Sequence, residues 1–170
     1  HTGVVSVQYE TRDNHFTRQY LAHIPSDLIL VRLRATERFG VRAWLDRIAD
    51  GHCRVQREHL TLDGIFSGGI AFRVQVRPHL QGGSAHWEDD VLVIDAAEEV
   101  LLDINVGTSA TGQSPQWECR QQQLAHTDWA KLLEDHKYSY QKLYGGLHLE
   151  VDLAESARPT DERLEALRQG

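Results

Sequence analysis

The chain has 170 residues, 41% of them hydrophobic and 25% charged, and its 18 Lys and Arg against 25 Asp and Glu leave a net charge of −7. That length suits one domain, or one domain with an appendage, and can bury a core. The composition excludes a disordered chain, a collagen-like repeat and a disulfide scaffold. No run approaches the roughly 20 apolar residues of a membrane span, and the acidity argues against nucleic acid, whose phosphates call for a basic face. Neither a membrane nor a nucleic acid is expected as a partner.

In chain order, the first two-thirds reads as β-structure. Val5, Val7 and Tyr9 alternate with polar residues, the period of a strand with one wet face. Arg12-Asp13-Asn14 supplies a turn, His15 to Ile24 is extended, and Pro25-Ser26-Asp27 breaks the run. Leu28 to Ala35 places Ile29, Val31, Leu33 and Ala35 on one face and Arg32 and Arg34 on the other. Val41 to Ile48 is a weaker run, in which Trp44 is expected in the core, and Asp50-Gly51 turns the chain. Cys53 to Leu62 is extended but polar, as an edge would be. Ile70, Phe72, Val74 and Val76 form the cleanest strand, which Pro78 should end or place at an edge. After Gly82-Gly83, Val91 to Ile94 and Val100 to Val106 read as two strands joined by Asp95 to Glu99. Roughly nine short strands at regular turn spacing predict an antiparallel sandwich or barrel, and the absence of βαβ alternation argues against a parallel sheet.

The character changes after Gly107. Thr108 to Gln123 is rich in Ser, Thr, Gly and Gln and reads as a loop. Trp129, Leu132, Leu133, His136, Tyr140 and Leu143 then fall on one helical stripe, with Thr127 as its expected N-cap and Gly145-Gly146 as a left-handed terminus. Leu147, Leu149, Val151 and Leu153 alternate as a strand, and Thr160 with Asp161 and Glu162 opens a second helix. The sequence opens at His1 without Met and closes on Arg168-Gln169-Gly170 inside that helix, which reads as an internal piece of a longer protein.

Candidate chemistry is sparse. Cys53 and Cys119 have no C-x-x-C partner and read as free structural thiols that leave the compartment open: extracellular, periplasmic or cytoplasmic. His148, Glu150 and Asp152 share a strand face, but a solvated polar face explains them better than a metal, and no metal or other cofactor is expected. Glu88, Asp89 and Asp90, and Glu98 with Glu99, are carboxylate clusters of the kind glycosidases pair. Both fall at expected hairpin ends, where exposed acids are ordinary. No nucleophile elbow, Walker loop or dinucleotide fingerprint occurs, so no catalytic residue is assigned. Trp87 and Trp117 fall in expected loops and are the candidates for carbohydrate contact, because a sugar face stacks on an indole ring.

Four stretches carry a family resemblance. His15 to Leu33, with Tyr20 and Pro25-Ser26-Asp27, resembles the paired strands near the start of glycoside hydrolase family 95, the α-L-fucosidase family. Gly69-Ile70-Ala71-Phe72, Gly82-Gly83 and Leu92 to Val100 are similar to a second block. Leu133 to Asp152, through His136, Tyr140 and Leu143, resembles the linker helix and return strand, and Pro159-Thr160-Asp161-Glu162-Arg163-Leu164 matches the family's PTDERL. Ser139 and Gly146 depart from the family's Asp and Arg, which removes a family-typical contact near the linker.

The resemblance implies an antiparallel β-supersandwich of the galactose-mutarotase type over 1–112. A linker over 113–146 would follow, then a return strand and the first turn of a helical barrel over 147–170. Trp129, His136, Tyr140 and Leu143 would pack the linker against the sandwich. The implied activity is inverting hydrolysis of fucosyl linkages, with the catalytic groups in the barrel beyond PTDERL. The implied partners are that helical barrel and, for the intact enzyme, a fucosylated oligosaccharide. A stand-alone carbohydrate-binding sandwich is the alternative, and exposed edge strands would also allow a homodimer.

Overall fold

The computed structural model describes residues 2–56, 59–146 and 159–169. Its strands are β1 (Val5–Glu10), β2 (His15–His23), β3 (Leu28–Ala43), β4 (Gly51–Gln56), β5 (His59–Ile65), β6 (Ala71–Gln81), β7 (Ser84–Glu88) and β8 (Val91–Thr108). They form one eight-stranded sheet in the order β1-β2-β3-β8-β6-β5-β4, with β7 also on β8. Every pairing is antiparallel. Three helices follow: α1 (Pro115–Gln121), α2 (Trp129–Tyr144) and α3 (Thr160–Gln169). The fold is mainly antiparallel β with helices at its end, as the alternating pattern implies.

Two long strands organise the sheet. β3 pairs with β8 from Ile29↔Ile104 to Ala43↔Leu92, so the two expected strands over 28–48 are one, and so are the two over 91–106. The alternation breaks where the ladder bulges. Register shifts lie between Arg34, Phe39 and Val41, and Ala96 opposite has a left-handed φ of 53°. A bulge adds a residue to one strand and bends it. Gly82 and Gly83 relay the same bend from β6 into β7. Gly83 has φ 72°, and a Cβ there would stand 2.2 Å from the Asp95 carbonyl oxygen.

The bend lets one core gather residues from distant strands. Phe39, Leu60, Val76, Leu92, Ile94, Ala97, Val100 and Leu102 are buried together, with Phe16 of β2 and Cys53 and Val55 of β4 packed against them. This meeting of both outer portions of the sheet is the sandwich core. The opposite face is covered as well. Leu21, Leu28, Leu30 and Leu101 are buried there beneath Trp129 and Leu132 of α2.

Several expectations are corrected. Pro78 does not end β6, which runs on to Gln81 in its pairing with β8. Trp44 follows the end of β3 and is 63% exposed rather than in the core. The polar stretch 108–123 is not simply a loop. It contains a 3-10 turn over Ser109–Thr111 and α1, with Ser114 as N-cap accepting from the Trp117 N–H and Pro115 in the first turn. Asp128, not Thr127, caps α2, and Gly145 is right-handed with φ −70°. The expected strand over 147–153, including His148, Glu150 and Asp152, lies outside the described residues. Among the described residues no helix is long and apolar enough to cross a membrane, and β1 and β4 are the outer strands of the sheet path.

The Gly83→Ala variant should lose about 2–3 kcal/mol, because it combines left-handed strain with a clash against backbone that cannot rotate away. Urea denaturation followed by tryptophan fluorescence would measure the shift, and an unchanged midpoint would contradict the bend.

Candidate functional site

α2 lies on the sheet by one stripe. Trp129, Leu132 and His136 are buried, and Leu133 packs at the edge of the same cluster. Arg32 joins the layers. Its Nε and Nη2 donate to the two carboxylate oxygens of Glu99 at 2.8 and 2.7 Å, and its Nη1 donates to Gln19 Oε1 at 3.3 Å. Its guanidinium also stands 5.2 Å over the Trp129 ring. One side chain therefore ties β2, β3 and β8 to α2, through a fork that only Arg offers.

His136 is 1% exposed and reaches the start of the described chain. Its Nε2 donates to the Thr2 carbonyl at 3.0 Å, since a carbonyl can only accept. Its ring tilts against Tyr140 at 5.6 Å and against His23 at 6.4 Å, and Tyr140 stacks on Tyr144 at 5.5 Å. Gly3 sits beneath these rings, where a Cβ would lie 2.6 Å from Tyr140. His23 Nδ1 meets Ser26 Oγ at 2.6 Å. Burial holds the His23 pKa below the ordinary imidazole value, and His136 and His126 add to this, against the opposing pull of the Leu132 carbonyl and Asp135. Burial thus favours the neutral form of His23.

Beyond the buried stripe the seam opens. An apolar cleft of about 550 Å³ is bounded by Ala22, Ile24, Tyr140, Leu143 and Tyr144. A hollow of about 320 Å³ over Ile29, Ile104 and Val106 adjoins it through Ala22 and Ile24. Trp129, His136 and Tyr140 are thus brought together in the seam, while Leu143 is 68% exposed on the cleft's rim.

The two tryptophans proposed for carbohydrate lie on separate elements. Trp87 is on β7, not in a loop, opposite Leu92 and packed on the sandwich core. Trp117 is on α1, also not in a loop, and is 49% exposed. Glu88, Glu98 and Glu99 of the acidic clusters are engaged in ion pairs. Glu88 meets Arg42 at 2.8 Å, and this bond, with His86, lowers its pKa. Glu98 meets Arg38 at 2.8 Å, and Glu99 holds both Arg32 and Arg34. The last two acids lie within β8 rather than at a hairpin end. Among the described residues no group of three or more His, Cys, Asp or Glu could hold a metal ion. Both cysteines are free.

The sequence reading missed Arg32, Glu99, His23 and Gly3. Arg32 and Arg34 fall on the face opposite Ile29, Val31, Leu33 and Ala35, and Leu28 and Leu30 on that same face signal that something covers it.

The described residues thus form a bent antiparallel sandwich with a helix laid across one face. The family described as glycosyl hydrolase family 65, N-terminal domain, matches residues 1–113, and the chain belongs to that family. A solved structure described as a putative kojibiose phosphorylase from human microbiome is similar in fold, with a TM-score of 0.56 at 7% identity over 84% of this chain. This chain spans 24% of that structure's length. No curated protein sequence matches. These findings show a glycoside-hydrolase type of β-sandwich, with family 65 rather than family 95 as the family identified.

Two measurements test the seam. Leu132→Ala should cost about 2–5 kcal/mol, as truncation of a fully buried leucine does. For His23 the unfolded pKa is about 6.5 and the folded one is lower, so the unfolded chain binds more protons between them. Its contribution is therefore whole above about pH 6.5 and is lost as pH falls toward the folded pKa. Denaturation midpoints from pH 7.5 to 5 should fall, and should fall less in His23→Gln.

Proposed function

We propose that this chain is the non-catalytic β-sandwich portion of an α-L-fucosidase-type glycoside hydrolase. In the intact enzyme it would pack on a helical catalytic barrel and help shape its cleft. The observation that carries the reading is the seating of α2. The helix that resembles the fucosidase linker presents its motif residues, His136 and Tyr140, to a sandwich of the glycosyl hydrolase N-terminal family. The open apolar cleft beside them offers a surface for a further domain. The complete PTDERL segment over 159–164, at the start of α3, supports the fucosidase resemblance within the broader family.

In the whole enzyme, water would attack the anomeric carbon while a carboxylic acid protonates the leaving oxygen. The carboxylates at 88, 98 and 99 are held by arginines on the sheet. The sandwich's role is positional. Its α2 seam would fix the direction in which the chain enters the barrel.

The half-exposed Trp117 supports a second reading, a stand-alone carbohydrate-binding module. The expected outcome for the first reading is no release of fucose from a 2′-fucosylated oligosaccharide by the 170-residue chain. Turnover well above buffer would overturn it. Calorimetry against the same sugar should show no tight binding; tight binding lost in Trp117→Ala or Trp87→Ala would establish the module instead.

A further inference from the structure

The face of the sheet that carries α2 has a second covered region, beneath α1. There Asn105 Nδ2 donates to the Cys119 carbonyl at 3.0 Å, and Gly107 lets α1 approach, since a Cβ would lie 2.3 Å from the Pro115 carbonyl oxygen. Between α1 and strands β5 and β6 is a polar cleft of about 400 Å³, bordered by Arg73, Gln75, Arg77, Gln116, Arg120 and Gln123, with His59 and Cys119 also in its wall. This volume falls within the roughly 300–1,000 Å³ typical of small-molecule sites.

The cleft is electrostatically unbalanced. Asp63 receives Arg73 through Nε and Nη2 at 2.6 and 2.8 Å, and it also pairs with Arg54. Buried Asp103 receives Arg77 Nε at 3.1 Å and His79 Nε2 at 2.6 Å. Arg77 Nη2 is fixed on the Gln122 carbonyl at 3.0 Å. Among the described residues two carboxylates thus hold Arg73, Arg77 and the neighbouring Arg54, and Arg120 has no side-chain hydrogen bond or ion pair. Glu118, the acid on α1, is directed elsewhere: it accepts from the Thr108 N–H at 2.7 Å and from the Thr111 hydroxyl. This local positive excess sits in a chain of net charge −7.

The surrounding groups also have a pattern. Arg73 and Arg77 are each held by the carboxylate directly opposite on the neighbouring strand, Asp63 on β5 and Asp103 on β8, whereas Arg120 is exposed. The amides of Gln75 and Gln116 make no hydrogen bond among the described residues. An amide carries both donors and an acceptor, which suits a hydroxyl, and a guanidinium suits a flat or tetrahedral oxyanion.

We propose that this cleft binds a sugar bearing an oxyanion, either a carboxylate or a sulfate ester. The oxyanion lies against Arg120 with Arg73 and Arg77 behind it, and the glutamine amides take the ring hydroxyls. The site is on α1 and β6, away from the α2 seam, and does not depend on the fucosidase reading.

Isothermal calorimetry on the 170-residue chain tests it with digalacturonate, glucose 6-sulfate, neutral galactobiose and inorganic sulfate. At least one acidic sugar should bind saturably, ten times or more tighter than galactobiose and tighter than inorganic sulfate; which one binds identifies the oxyanion. Arg120→Ala should weaken binding at least fivefold and Gln116→Ala at least twofold. Both positions are exposed, so folding should survive, and a melting curve checks this. Lys131→Ala, on the exposed face of α2, should leave binding unchanged. The proposal is overturned by an absence of binding, by equal binding of galactobiose or inorganic sulfate, by full binding in Arg120→Ala, or by equal loss in Lys131→Ala.

Discussion

The burial of β8 on both faces is the constraint on which the rest depends. Leu92, Ile94, Val100 and Leu102 point into the sandwich core, while Leu101, Asp103 and Asn105 are buried on the other side. A strand in that position cannot slip by one residue, because the slip would carry Asp103 and Asn105 into the apolar core in place of Leu102 and Ile104. Its register then fixes β3 on one side and β6 with β7 on the other. It also obliges something to cover the second face, and the chain supplies α1 and α2 for that purpose. The helices complete the sheet: without them Leu101 and Leu30 would face water.

The second face is divided by chemistry. Its upper part is apolar and closed by Trp129 and Leu132, with Arg32 and Glu99 as a fully engaged ion pair at the border. Its lower part is polar and held by the two anchored arginines under α1. Burying an ion pair gains little over an apolar contact, but it makes misplacement expensive, because a displaced partner leaves an uncompensated charge. Arg32 therefore acts more as a register pin for α2 than as a source of stability. The same holds for Asp103, which ties β6 to β8 through Arg77 and His79.

Strands with one wet face were legible in the sequence, and those with two covered faces were only half legible. β1 and β2 alternate openly and were placed within a residue or so. β3 and β8 were each divided in two, because at Arg34–Phe39 and at Ala96 the side-chain period breaks while the backbone ladder continues. Alternation reports faces, and a bulge changes the face without ending the strand. α1 was missed for a different reason. It has seven residues with only Pro115 and Cys119 buried, too short to show a stripe, although Ser114-Pro115 is a helix-opening pair. α2 was legible as a stripe, and its pattern led to Trp129, His136 and Tyr140. Their partners Arg32, His23 and Gly3 were not, since each is distant in sequence and none has a residue type that signals a seam.

The thiol of Cys119 gives the lower half of this face a further property. It is 1% exposed on the sheet-facing side of α1, with Sγ 3.7 Å from the Arg73 carbonyl oxygen, and burial raises its pKa. Its near-complete burial against the sheet shields it from an alkylating reagent until α1 moves, whereas Cys53 on the outer strand is only half-buried. The two sulfurs therefore form an internal clock and its reference. The ratio of their modification rates reads the opening frequency of one short helix, with no probe introduced and no residue changed.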